Sequence, residues 1–126
     1  MKTTLIFVFV IAFNCISFSQ AQMSDVTKLE GKIGEYPVVM DLGYLVGGMS
    51  VCMVSGSYFY KSKKVIIDLC SEDGEKFVEN LNGDETGYFT LDDWEKKVGQ
   101  IVTGTWHSMD DSKSYPISLK VIKKSN

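Results

Sequence analysis

One histidine, His107, is the residue around which nucleophilic catalysis would have to be built. Ser108 or Ser112 could supply the nucleophile and Asp110 or Asp111 could orient the ring. The spacing argues against it: neighbours on a strand point to opposite faces, so if Trp106 faces inward His107 faces water. Acidic residues gather at Glu72, Asp73 and Glu75, at Asp84 and Glu85, and at Asp92, Asp93 and Glu95. A calcium loop begun at Asn80 needs glycine at its sixth position, where this chain has Glu85. Glycoside hydrolysis needs two carboxylates facing across a cleft, and carboxylates strung along turns read instead as solvated strand ends. Zinc needs three or four ligands, more than one histidine and the thiols of Cys52 and Cys70 provide. No metal, cofactor or catalytic centre is therefore expected.

Charge narrows the partners. All thirteen basic residues are lysines, against sixteen carboxylates. Phosphate recognition favours a basic surface and the bidentate fork of arginine, so nucleic acid is a poor partner. Lys61, Lys63 and Lys64 cluster, and they read as a solvated turn.

The aromatic residues are the more informative set. Tyr58 and Tyr60 share one face of a strand, and Tyr36, Tyr88, Trp94, Trp106 and Tyr115 lie on or near others. Rings of this kind either fill a core or line a site for a small apolar ligand or an extracytoplasmic protein partner. Tyr58, Tyr60, Trp94 and Trp106 are the candidate binding residues. They imply a non-enzymatic binding module.

The elements that must position them are strands. Short alternating runs rich in Val, Ile, Tyr and Phe recur between clusters of Gly, Asn, Asp and Lys. We read eight: Lys28 to Gly34, Tyr36 to Leu42, Ser50 to Tyr60, Val65 to Cys70, Lys76 to Leu81, Thr86 to Leu91, Gly99 to Ser108, and Tyr115 to Ile122. Asn82-Gly83 supplies the two positive φ angles of a type I′ hairpin, and Lys61 to Lys64 and Met109 to Ser114 form softer turns. The polar connection around Trp94 has room for a short helical turn. Every link suits a hairpin, so the order is a meander.

Glycine recurs two residues before a large apolar side chain in Gly31-Lys32-Ile33, Gly56-Ser57-Tyr58, Gly87-Tyr88-Phe89 and Gly104-Thr105-Trp106. Glycine weakens a strand unless the strand bends or another backbone comes close, so its recurrence points to a sheet coiling round to close. The expected fold is all-β, an eight-stranded antiparallel up-and-down barrel. Too little chain remains per strand for a wide lumen, so a packed core is expected, with any ligand held at the mouth or a partner on the outer face.

Lys2 followed by an apolar run from Leu5 to Ile16, then Ser19-Gln20-Ala21, reads as a cleavable signal peptide over residues 1–21. One domain of residues 22–126 follows, with no transmembrane span. A lipid anchor at Cys15 is the lesser alternative, since Phe13 and Asn14 are large for such a site. Export to the periplasm or beyond places Cys52 and Cys70 where thiols oxidise, and a disulfide stapling the third hairpin is expected. The two lie a few residues off the register set by Lys61 to Lys64, which a bulge near Gly56 would partly recover.

The glycine-X-aromatic strands ending in Gly104-Thr105-Trp106 resemble the small barrels of the lipocalin-like and avidin-like group and short exported bacterial proteins beside them. That resemblance implies a barrel over the whole of residues 22–126 but no particular ligand, because Gly31-Lys32-Ile33 stands where lipocalins carry Gly-X-Trp. Ser55-Gly56-Ser57-Tyr58 followed by Lys61 resembles the Ser-Gly-X-X-Tyr strand of periplasmic lysozyme inhibitors, which implies an alternative role as an inhibitor of a secreted or cell-wall hydrolase.

Overall fold

The computed structural model describes residues 22–46 and 51–125. Eight strands follow one another along the chain: β1 (Gln22–Ile33), β2 (Tyr36–Val46), β3 (Val54–Tyr60), β4 (Ile67–Ser71), β5 (Lys76–Leu81), β6 (Asp84–Leu91), β7 (Ile101–His107) and β8 (Ser114–Ser125). Each pairs antiparallel with its sequence neighbours, and β1 pairs with β8 from Val26↔Ser125 to Ile33↔Ile117, closing the barrel. The expected signal segment and Cys15 lie outside the described residues.

Period-two alternation explains the closure. One row of each strand points inward, and the buried set collects Leu29 and Ile33, Val38, Met40 and Leu42, Phe77, Phe89, Val102, and Ile117, Leu119 and Val121 from six strands. Phe77 stacks on Phe89 at 5.3 Å, and Tyr58 meets Phe89 edge-on at 6.2 Å. The middle of the barrel is thus a packed core, as a short eight-stranded cylinder allows.

At Gly56, an added Cβ would stand 1.9 Å from the Asp41 carbonyl oxygen, so adjacent backbones approach where only glycine fits. The β3–β4 register runs unbroken from Val54↔Ser71 to Tyr58↔Ile67, so the expected bulge near Gly56 is not there. Register is lost instead beyond β3, where the Met53 N–H donates to the Ser71 carbonyl, and Cys52 meets Cys70 with a Cα separation of 5.3 Å. The disulfide closes a loop with a sequence separation of 18. A crosslink of that span contributes roughly 3 kcal/mol by restricting the unfolded chain.

Some expected bounds move. β1 begins at Gln22 and not Lys28, because Asp25 at φ 53° lets the strand continue across a bulge between Ser24 and Thr27. β3 and β4 start later than expected, leaving Val65 and Ile66 exposed in the turn. Asn82 and Gly83 take φ of 54° and 91°, as the hairpin requires. The Trp94 connection holds no helical turn; Asp92 anchors it, accepting from the Thr103 N–H and pairing with Lys96.

Candidate functional site

The odd-to-even links, from β1–β2 to β7–β8, lie at one end of the meander, and the even-to-odd links lie at the other. Toward the odd-to-even end the inward rows change from aliphatic to aromatic. Ile33, Tyr36, Tyr60, Trp106 and Tyr115 end those rows on β1, β2, β3, β7 and β8, which are contiguous around the barrel. With Ser62 and Lys63 they line a cavity of about 330 Å³. The rings form two pairs: Tyr36 meets Tyr60 edge-on at 6.2 Å, and Trp106 stacks on Tyr115 at 5.6 Å. An open groove of Gly34, Glu35, Tyr36, Tyr115 and Pro116 shares two of these rings and brings a carboxylate to the rim.

Behind this cup lies a carboxylate that the sequence reading missed. Glu79 is 4% exposed on the inward row of β5 between Phe77 and Leu81. Its Oε1 accepts the Tyr58 hydroxyl at 2.8 Å and the Trp106 indole N–H at 2.7 Å, and its Oε2 accepts the Thr86 hydroxyl at 2.7 Å. Three neutral donors hold the buried charge, and no ion pair involves it among the described residues. The signal was the alternation itself: once Phe77 faces inward, Glu79 must too.

Local backbone makes this reach possible. Glu79 pairs with Gly87, and the register then shifts so that Asn80 faces Glu85, leaving Thr86 as the extra residue. Trp106 lies on β7, and its indole crosses β6 over Gly87 to reach β5. A Cβ on Gly87 would stand 2.7 Å from the indole Cζ2 and 2.9 Å from Nε1, so a side chain there would displace the ring.

Tyr58, Tyr60 and Trp106 therefore come together, while Trp94 does not join them. Trp94 belongs to the β6–β7 link at the opposite end, 4% exposed and 5.5 Å from the Tyr44 ring. Tyr44 donates to Glu95 there, and that bond pushes its hydroxyl up to about 12. Burial, reinforced by Glu79, strongly raises the Tyr58 hydroxyl above its ordinary value, and burial likewise raises that of Tyr60, so both stay neutral.

His107 points away from the cup and stacks on Tyr88 at 4.9 Å, with Asp111 4.0 Å from its Nδ1. Ser108 and Ser112 both donate to Asp110 in the same turn, so neither hydroxyl is directed at the histidine. In the Ser55-Gly56-Ser57-Tyr58 stretch, Ser55 donates to the Leu69 carbonyl and Tyr58 turns into the barrel. Among the described residues no group of His, Cys, Asp and Glu could hold a metal, and no helix is long and apolar enough to cross a membrane. Compared with protein-family models, curated proteins and solved structures, the chain matches none.

Proposed function

We propose that this protein is a non-enzymatic, exported binding module that holds a small, largely apolar ligand in the aromatic cup at the mouth of its barrel. The observation that carries the reading is the change in the inward rows, from a core of fully buried side chains to a cavity of about 330 Å³ walled by Tyr36, Tyr60, Trp106 and Tyr115. That volume is at the small end of ligand sites. A larger groove of about 420 Å³, with Glu72, Asp73, Lys76 and Glu85 in its lining, has no aromatic side chain in its walls and is the more polar of the two. The Cys52–Cys70 disulfide supports an oxidising, extracytoplasmic setting. The up-and-down closure supports placing the protein beside the lipocalin-like and avidin-like barrels.

The chain has two tryptophans, one at each end of the barrel, which gives a binding assay its internal control. A set of small neutral and cationic fragments, titrated while both indole N–H resonances are followed by NMR, should yield ligands that move Trp106 and leave Trp94 in place. A set in which no fragment moves Trp106 at millimolar concentration, or every hit moves Trp94 instead, overturns the reading.

A further inference from the structure

The mouth combines two features that a purely apolar site does not need. Its lining carries four rings in two contacting pairs, Tyr36 edge-on to Tyr60 and Trp106 stacked on Tyr115. Its foundation is a carboxylate: among the described residues Glu79 is buried with three hydrogen-bond donors and no cation, and it is tied to one of those walls through the Trp106 indole N–H. An apolar ligand would be served as well by leucines in the walls and a neutral residue at position 79, which would avoid the desolvation of a carboxylate.

We propose that the cup takes a small alkylated ammonium cation, with its N-alkyl groups against the four rings and its charge facing the Glu79-anchored Trp106. This rests on the reading of the cup as a ligand site and names the class of ligand.

Three physical effects support it. Aromatic faces carry negative potential and attract cations, tryptophan most strongly, and alkylated ammonium groups match such cages because they cannot be satisfied by hydrogen bonds alone. Donation of the indole N–H to a carboxylate pushes electron density into the ring, which deepens the negative potential of its π system. The carboxylate itself lies in a poorly screened environment, so its field reaches the cup with little loss. Rim charges are mixed. Glu35 stands beside Tyr36 and Tyr115, whereas Lys63 lines the cavity and opposes a cation; Lys61 is drawn to Glu30 at 3.2 Å on the outer wall.

The test compares choline with its neutral isostere 3,3-dimethylbutan-1-ol on the full domain, with affinity read from the Trp106 indole resonance. Choline should bind roughly tenfold or more tightly than the isostere, the ratio expected when cation–π attraction is added to equal apolar contact. Tyr36→Leu and Tyr115→Leu, at positions 63% and 41% exposed, should each weaken choline several-fold more than they weaken the isostere. Glu79→Gln keeps acceptors for Tyr58 and Trp106 while removing the charge, and should narrow the ratio; Lys63→Ala should widen it. Equal binding of both probes overturns the ammonium assignment and leaves the cup as a neutral ligand site. Binding of neither probe, alongside a silent fragment set, overturns both.

Discussion

Replacing Tyr58 with phenylalanine isolates the bond that joins the core to the candidate site. The residue is 1% exposed, with its ring 5.6 Å from Tyr60 and 6.2 Å from Phe89, so phenylalanine keeps every ring contact and loses one hydroxyl. That hydroxyl donates to Glu79 Oε1 at 2.8 Å. A hydrogen bond to a charged acceptor contributes about 1.5–3 kcal/mol. The loss should stay inside that range, because Trp106 still donates to Oε1 and Thr86 to Oε2, and the carboxylate is not orphaned. With an m-value near 2 kcal/mol/M, the urea midpoint should fall by roughly 1 M. In a Glu79→Gln background the same substitution removes only a neutral bond and should cost about 0.5–1.5 kcal/mol, giving a coupling near 1 kcal/mol in the double-mutant cycle. A midpoint unmoved by Tyr58→Phe, or an identical loss in both backgrounds, would refute the claim that Glu79 is a buried charge held by these donors.

Three further outcomes follow from the same geometry. Gly87→Ala should push the indole off Glu79, destabilise the fold by about 1–3 kcal/mol and shift the Trp106 fluorescence; an unchanged spectrum and midpoint contradict the close approach over Gly87. Thr27 is fully buried and its hydroxyl has no partner among the described residues, so Thr27→Val should raise stability by about 1 kcal/mol in urea titration, and a loss of stability would show that the hydroxyl is satisfied. In the β7–β8 turn, the Ser112 hydroxyl and N–H and the Ser108 hydroxyl hold the Asp110 carboxyl down at about 2. A depressed folded-state value means a contribution present above the ordinary carboxylate value of 3.8 and lost as pH falls toward 2. The carboxyl carbon of Asp110 should therefore titrate near 2 by NMR, and the Ser108→Ala/Ser112→Ala pair should return the midpoint toward 3.8.

Much of this architecture was legible in the residues. The eight strands, their order and the Asn82-Gly83 hairpin follow from alternation and turn chemistry, since inward rows such as Val38-X-Met40-X-Leu42 leave few other ways to hide their side chains. The recurring glycines marked places of close approach, as Gly56 against Asp41 illustrates. The site was only half legible. Grouping aromatics by type put Trp94 with Tyr58, Tyr60 and Trp106, but a meander sends even-to-odd links to the far end, and Trp94 goes with them. Glu79 was passed over because acids read most naturally as solvated, although the phase set by Phe77 pointed it inward. The start of β1 was obscured by Asp25, whose left-handed backbone hides the continuing strand from a pattern based on alternation. The reach of Trp106 across β6 depends on a register shift beside Gly87 that no local pattern encodes.

The most direct measurement is the set of intermolecular NOEs from the N-methyl protons of bound choline. The cup predicts cross-peaks to the rings of Tyr36, Tyr60, Trp106 and Tyr115 together. Cross-peaks to Trp94 and Tyr44 at the other end, to Tyr88 on the outer wall, or to no ring at saturating ligand would contradict it.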